Sequence, residues 1–176
     1  MTRDPSPLEY AVLGLLADGA QSGYEVRRVF ATTAMRMYSD SPGSIYPALQ
    51  RLARRRLIRA HRERTGRRRT MYALAPRGRA LVRRWLAEPV TVAEAGRDNG
   101  ALELKLAYMS SFLPQRLSSF LDEWIEATSA LTLDAARNIE EWRGQLPLSG
   151  ELALVLGYET LKSRSAALAR ARARFR

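Results

Sequence analysis

Two serine–glutamate pairs near the start of the chain determine where its first two helices begin. Ser6 precedes Glu9 and Ser22 precedes Glu25, each by three residues, which is the pattern of a capping box. Pro7 suits the first helical position, where a missing amide hydrogen costs little. Helical spacing gives both segments one apolar face, formed by Leu8, Val12, Leu15 and Leu16 in the first helix and by Val26, Val29, Phe30 and Thr33 in the second.

A third helix carries a proline inside its sequence. We expect Ser41 or Ser44 to cap it, which puts Pro47 within about its first turn, where amide hydrogens have few partners to lose. The apolar face of this helix consists of Ile45, Ala48, Leu49 and Leu52. The opposite face consists of Gly43, Pro47, Gln50 and Arg54, with Tyr46 and Arg51 beside it.

The pattern then changes to two short extended runs, residues 59–64 and 69–74, around a turn that contains Gly66. This order predicts a β-hairpin, and Pro76 then begins a fourth helix. Arginines crowd the tip of the hairpin: Arg62, Arg64, Arg67, Arg68 and Arg69. A hairpin does not need this charge for its own fold, so the cluster indicates a function.

The positive charge of the chain lies in its first half. The formal net charge is +11, and residues 1–90 contain 18 Lys and Arg against 7 Asp and Glu, whereas residues 91–176 contain 11 of each kind. A basic half joined to a neutral half favours a module that binds a polyanion, with an appended domain of another purpose.

Three helices followed by a basic hairpin form the element order of a winged helix-turn-helix. We therefore predict a mostly α fold with a DNA-binding domain over residues 1–89, which comprises three helices, a two-stranded wing and a fourth helix. The third helix would enter the major groove of double-stranded DNA, where Gln50, Arg51 and Arg54 can reach base edges. The arginines of the wing would lie along the phosphates.

The second half reads as a separate helical domain. Residues 90–100 follow Pro89, are polar and contain two glycines, which indicates a linker. Residues 101–176 follow as helices. Two long segments with apolar residues at alternating spacings of four and three predict an antiparallel helical hairpin. The residues proposed for dimerisation on these stripes are Leu117, Leu121, Trp124, Leu131, Leu154, Tyr158, Leu161 and Leu168.

The apolar faces of the two long segments are wider than packing within one hairpin can bury, which favours a homodimer. A two-fold dimer would read two half-sites about 34 Å apart on a pseudo-palindrome. The alternative is a monomer whose hairpin packs back on its own N-terminal domain.

Several segments resemble the PadR family of bacterial transcriptional regulators: "LEYAVLGLL", "SGYEVRR", "SPGSIYPALQRLARRRLI", "MYALAPRGRALV" and "ALELKLAYMSSFLP". The last is similar to the start of the helical C-terminal domain in the smaller branch of that family. The resemblance implies that Tyr24, Ser44, Tyr46 and Pro47 face DNA or its phosphates. It also implies a small aromatic effector, with a candidate pocket formed by Trp85, Tyr108, Met109, Phe112, Trp124 and Tyr158.

Other classes of function find little support in the sequence. It contains no cysteine, a single histidine at position 61, and no glycine-rich phosphate loop, so we expect no enzyme, metal site or cofactor. Without a signal peptide or a membrane span, we expect a cytoplasmic protein. The sequence thus favours a homodimeric repressor that binds a pseudo-palindromic operator and is released by an effector. The alternative is an architectural nucleic-acid-binding protein of low specificity without a ligand switch.

Overall fold

The structure is a computed structural model that describes residues 4–39, 41–63, 69–97 and 100–174. The chain forms two compact units. The first comprises Met1–Ala87 and Tyr108–Pro114, and the second comprises Glu88–Ala107 and Gln115–Arg176. The predicted fold class is confirmed, because a winged helix-turn-helix precedes a helical domain that contains an antiparallel hairpin.

The first unit begins with three helices: α1 (Pro7–Leu15), α2 (Gly23–Thr32) and α3 (Pro42–Arg54). Both predicted capping boxes are present, with Ser6 and Glu9 at the start of α1 and Ser22 and Glu25 at the start of α2. The three helices share a core in which Val12, Leu13, Val26, Phe30, Ile45, Leu49 and Leu52 are completely buried. Thr33, which we expected in this core, is exposed, since its hydroxyl caps a short 3₁₀ turn over Ala34–Met37.

The wing belongs to a three-stranded antiparallel sheet with the strand order β1-β3-β2. Strands β2 (Ile58–Arg62) and β3 (Thr70–Leu74) form the predicted hairpin, and the two-residue strand β1 (Gln21–Ser22) pairs with the other edge of β3. A strand of two residues is too short to show an alternation pattern, so β1 could not be predicted. Helix α4 (Pro76–Ala87) follows, and its Gly78 allows close approach to the carbonyl oxygen of Leu57.

Helix α3 ends in a tight turn with an unusual residue. The amide of Leu57 donates to the carbonyl oxygen of Leu52, and the amide of Arg56 donates to that of Ala53, which together define a Schellman motif. Arg56 has a φ angle of 57°, and it is the only described non-glycine residue with positive φ. Glycine normally occupies this position, because a β-carbon is disfavoured in the left-handed region.

The second unit contains the short helix α5 (Val92–Ala95), the first part of α6 (Gly100–Phe112), and the two long helices α7 (Leu117–Trp142) and α8 (Leu148–Ala173). Helices α7 and α8 are antiparallel, since Arg172 near the end of α8 forms an ion pair of 2.7 Å with Asp122 near the start of α7. Residues of α6 from Tyr108 onward belong to the first unit.

The segment 90–100, interpreted above as a linker, contains helix α5 and specific contacts. Lys105 is 1% exposed, and its ammonium lies 2.8 Å from the carboxylate of Glu94. The amide of Val90 donates to Glu123, which also binds Arg116. Residues 90–97, the described part of this segment before Gly100, are therefore held within the second unit, because a buried lysine requires a charged partner and that partner lies here.

We predict that Arg56→Gly stabilises the protein by about 0.5–1 kcal/mol. Relief of the left-handed arginine gains about 1–2 kcal/mol, and the greater freedom of glycine in the unfolded chain offsets about half of this. Urea unfolding followed by circular dichroism measures the difference. Arg54→Gly is the matched control: it removes the same side chain at right-handed φ and should destabilise by up to about 1 kcal/mol. Equal destabilisation by both variants would contradict the prediction.

Candidate nucleic-acid interface

Helix α3 presents one buried face and one exposed face, as the sequence predicted. Its apolar residues are completely buried, whereas Gly43, Gln50 and Arg54 are exposed and Ser44 and Pro47 are partly exposed. Ser41 caps the helix, so Pro47 is its sixth residue and lies beyond the first turn where we expected it. The carbonyl oxygen of Gly43 thereby loses its helical partner, and because Gly43 is exposed, water can bind this oxygen.

Residues of β1, α2, α3 and β3 surround a small hollow beside the exposed face of α3, which we call the tyrosine hollow. It has a volume of about 340 Å³ and is lined by Ser22, Gly23, Tyr24, Tyr46, Arg69, Thr70 and Tyr72. Tyr24 is 60% exposed, and Tyr46 is 38% exposed. Three of the predicted DNA-binding residues, Tyr24, Tyr46 and Arg69, thus lie around one concave surface.

The pairing of β1 with β3 builds this hollow. Gln21 pairs with Tyr72 and Ser22 pairs with Met71, so the start of α2 lies directly beside the wing. A β-carbon at Gly23 would lie 2.7 Å from the ring of Tyr46, so any other residue there would displace this ring. Sequence reasoning missed Thr70 and Tyr72, although they alternate along β3 and therefore share one face of the strand.

The described part of the wing is polar and basic on its exposed edge. Arg59 and Arg62 on β2 are exposed, and Arg62 pairs with Thr70 of β3. Beyond the last pair, the amide of Glu63 donates to the carbonyl oxygen of Arg69, which is itself exposed. The other predicted wing residues, Arg64, Gly66, Arg67 and Arg68, lie outside the described residues.

Arg51 occupies a different position from the one expected of a base-reading residue. Its Nε donates to Oε1 of Glu9 at 2.8 Å, and Glu9 has only 7% of its side chain exposed. The other carboxylate oxygen of Glu9 accepts from the amide of Ser6 at 3.0 Å. Arg51 therefore connects α3 to α1 while 45% of its side chain stays exposed, and the neighbouring Gln50 is exposed as well.

The surroundings of Glu9 hold it in its ionised form. Burial by itself raises the pKa of this carboxyl, but the hydrogen bonds from Arg51 and Ser6 and the positive charges of Arg51 and Arg55 lower the pKa below its ordinary value of 4.5. The charge of Glu9 is thus part of the folded first unit at neutral pH.

Four of the candidate effector-pocket residues belong to the first unit, where two have defined partners in its core. The indole of Trp85 stacks on the ring of Tyr10 with a centroid distance of 4.2 Å. The hydroxyl of Tyr108 donates to the carbonyl oxygen of Ala11 at 2.9 Å, and its ring packs against Gly14. Burial raises the pKa of Tyr108, so this hydroxyl stays protonated.

The remaining candidates divide between the two units. Phe112 lies under the guanidinium of Arg79 at 5.1 Å, and Met109 is completely buried, both in the first unit. Trp124 and Tyr158 belong to the second unit. Trp124 is buried, and its indole nitrogen has no hydrogen-bond partner among the described residues.

The predicted dimerisation residues lie on α7 and α8, and we call this set the seam. Leu121, Trp124 and Leu168 are buried, and Leu117, Leu131, Leu154, Tyr158 and Leu161 are partly buried. Other apolar residues of the hairpin, off this seam, are strongly exposed: Leu133, Trp142, Leu148, Leu152, Val155 and Leu156. Sequence reasoning did not select these residues for dimerisation.

Within the described ranges, no helix is long and apolar enough to cross a membrane. The same residues contain no group of three or more His, Asp or Glu side chains arranged to hold a metal ion.

The sequence of the chain is similar to those of known transcriptional regulators. Residues 12–84 match the model of the transcriptional regulator PadR-like family. The chain is also similar to the negative transcriptional regulator PadR of Bacillus subtilis, with 27% identity over 136 residues that cover 76% of this chain and 74% of the relative.

Solved structures with similarity to this chain include B. subtilis PadR in complex with operator DNA, with 25% identity, a TM-score of 0.47, and coverage of 97% of this chain and 99% of that one. The same regulator in complex with p-coumaric acid has 25% identity, a TM-score of 0.44, and coverage of 98% and 97%. A PadR-like regulator from Bacillus cereus has 21% identity, a TM-score of 0.44, and coverage of 100% and 99%.

We predict that Glu9→Gln destabilises the first unit by about 1–2 kcal/mol at pH 7, because it weakens both the cap of α1 and the link to Arg51. The folded pKa of Glu9 is depressed, so its stabilisation is present above pH 4.5 and is lost as the pH falls through the folded value. Urea unfolding between about pH 3 and pH 7 should therefore show a difference from the unmodified protein that shrinks in acid. Glu126→Gln alters an exposed carboxylate as the control, and a pH-independent difference for Glu9→Gln would refute the prediction.

Proposed function

We propose that this chain, whose residues 12–84 match the transcriptional regulator PadR-like family, represses transcription as a homodimer bound to a pseudo-palindromic operator. In this proposal a small aromatic effector releases the repressor from DNA. The main support for the proposal is the tyrosine hollow, where Tyr24, Tyr46 and Arg69 lie together beside the exposed face of α3.

The exposed face of α3 suits contact with a major groove. Gly43 and Pro47 have short side chains there, so the helix backbone can approach the base edges closely. Gln50 projects from the same face, and a glutamine amide can bind adenine through its N6 and N7 positions. We assign sequence reading chiefly to Gln50, and we assign to Arg51 the holding of α3 through Glu9.

The tyrosine hollow and the wing suit contact with the DNA backbone. Two exposed hydroxyls and a guanidinium surround the hollow, and these groups bind phosphate oxygens without distinguishing base sequence. Arg62 and Arg69 extend the positive charge along the described part of the wing. We extend this role to Ser44 and Arg54, and to Arg64, Gly66, Arg67 and Arg68 at the wing tip.

The curated relative in B. subtilis is a negative transcriptional regulator, which supports repression over activation for this chain. A protein that occupies both half-sites of an operator near a promoter blocks the polymerase by steric exclusion. Repression thus needs only the binding surfaces described above, and no catalytic group.

The exposed apolar residues of the second unit support dimerisation. Leu148, Leu152 and Leu156 follow one another at intervals of four on α8 and are 72%, 59% and 70% exposed. Large apolar side chains in such a row are unfavourable in water and normally mark a protein interface. We therefore place the dimer interface on this row together with neighbouring residues of α7, and the seam residues serve mainly to hold the hairpin.

The effector proposal depends on the candidate aromatic residues. The buried indole nitrogen of Trp124 lacks a partner among the described residues, and a polar group of a ligand would supply one. Titration of the operator complex with a panel of aromatic acids and phenols, followed by fluorescence anisotropy and tryptophan quenching, tests for release. Absence of release by every compound would favour the alternative function, an architectural protein that binds nucleic acid without a ligand switch.

We predict that the protein binds a pseudo-palindromic operator from its own upstream region at least about 10³-fold more tightly than a scrambled duplex at physiological salt. Gln50→Ala should reduce this ratio by about one to two orders of magnitude, since it removes a base contact. Arg69→Ala should weaken binding to every duplex alike and reduce the salt slope by about 0.9 for each lost phosphate contact. Fluorescence anisotropy over a series of salt concentrations measures both quantities.

Arg97→Ala is the control for this experiment, because it removes an exposed arginine of the second unit. It should leave both the ratio and the salt slope unchanged. Near-equal affinity of the unmodified protein for operator and scrambled DNA would contradict the repressor proposal. Identical profiles for Gln50→Ala and Arg69→Ala would show that the division between reading helix and backbone contacts is wrong.

We predict that the double variant Leu152→Glu, Leu156→Glu is monomeric, because two carboxylates would have to be buried at the proposed interface. Sedimentation equilibrium measures the mass, and the operator affinity should fall by at least about 100-fold, since each protomer then binds one half-site. Ala153→Glu adds a carboxylate one position away, about 100° around the helix, and should remain dimeric. A dimer in the double variant would show that the interface lies elsewhere.

A further inference from the structure

A second basic concavity lies in the first unit, and it shares no residue with the tyrosine hollow. It has a volume of about 630 Å³ and is formed by the end of α3, the turn that follows, one side of α4 and the residue Asp4. Its lining includes five arginines, and we call it the arginine cavity: Arg54, Arg55, Arg56, Arg77 and Arg84. The remaining lining residues are Leu57, Ala80 and Leu81.

The charge of the arginine cavity is poorly balanced by the protein. Asp4 is the one carboxylate in its lining, and it lies 3.8 Å from Arg84 with both side chains mostly exposed. Arg54, Arg56 and Arg77 form no ion pair or side-chain hydrogen bond with any described residue. Like charges on a shared concave surface repel each other, so an anion in the cavity would lower the energy of the folded protein.

Arg56 lines this cavity while its backbone is in the unfavourable left-handed conformation. It holds the left-handed position of the Schellman motif, where glycine is the residue of choice, and its side chain lines the cavity. The fold of the turn therefore does not explain an arginine here. A requirement for a guanidinium at this point of the cavity does explain it.

The dimensions and the chemistry of the cavity define a ligand class. A volume of 630 Å³ falls within the range of small-molecule sites. Guanidinium groups match phosphate oxygens in paired hydrogen bonds, and several adjacent guanidiniums suit several linked phosphates. We propose that the arginine cavity binds a free polyphosphate anion, either inorganic polyphosphate or the phosphate chain of a nucleotide.

This proposal goes beyond the proposed operator binding and is tested without DNA. Arg54 also belongs to the exposed face of α3 that we assign to the duplex. A polyphosphate in the cavity would therefore compete with DNA for this arginine, and it would couple the occupancy of the operator to the concentration of the anion.

Isothermal titration calorimetry tests the proposal. The DNA-free protein is titrated with inorganic tripolyphosphate at about 0.15 M salt, which screens non-specific electrostatic attraction. We expect saturable binding of one anion per chain. Arg56→Gly and Arg84→Gln should each weaken it by about 10-fold or more, as the loss of one charge-assisted contact requires. Arg83→Gln removes the adjacent exposed arginine of α4, which does not line the cavity, and should leave the affinity unchanged.

Arg56→Gly is informative because the backbone favours glycine at this position. Loss of tripolyphosphate binding by a variant at least as stable as the unmodified protein cannot result from misfolding. A parallel titration with ATP identifies the source: tighter binding than tripolyphosphate indicates a nucleotide whose base contacts Leu57, Ala80 and Leu81, and equal or weaker binding indicates inorganic polyphosphate.

Two results would overturn the proposal. The first is equal affinity of the unmodified protein and all three variants for tripolyphosphate, which would mean that the binding is general electrostatic attraction. The second is no saturable binding of tripolyphosphate while Arg56→Gly and Arg84→Gln weaken the binding of every duplex, which would assign the cavity to the DNA backbone. Neither result affects the ratio of operator to scrambled-DNA binding by the unmodified protein, so the proposed function is tested independently of the arginine cavity.

Discussion

The buried carboxylate of Glu9 joins the elements on which the first unit depends. One of its oxygens closes the capping box of α1 through the amide of Ser6, and the other accepts from Arg51 on α3, 42 residues further along the chain. A carboxylate with 7% of its side chain exposed is stable only with such partners. The same contact therefore begins α1 and fixes the helix whose outer face we assign to DNA.

The sheet has a comparable role for the rest of the candidate interface. Because β1 consists of two residues that immediately precede α2, its pairing with β3 leaves the start of α2 little freedom relative to the wing. Tyr24 and Arg69, 45 residues apart, come to line one hollow as a result. The surface that we propose for phosphate contact is thus produced by a strand pairing, and the residues themselves are distributed over four elements.

The tyrosine hollow and the arginine cavity differ in what the fold requires of them. The tyrosine hollow combines hydroxyls with a single arginine, and its glycine is needed for the ring of Tyr46. The arginine cavity concentrates five guanidiniums and places one of them where the backbone would favour glycine. The formal net charge of +11 therefore does not reveal that the arginines of the first unit are grouped at distinct surfaces.

The sequence by itself determined the helix starts, the hairpin and the buried face of α3, because capping boxes, helical spacing and glycine-containing turns act between neighbouring residues. It also indicated that Gln50 and Arg54 are exposed. It could not show that Arg51 binds Glu9, that β1 exists, that Val90 and Glu94 bind Glu123 and Lys105, or that the exposed leucines of α8 lie off the seam. Each of these depends on which distant residue comes within contact, and only the packing of the elements in the tertiary structure decides that.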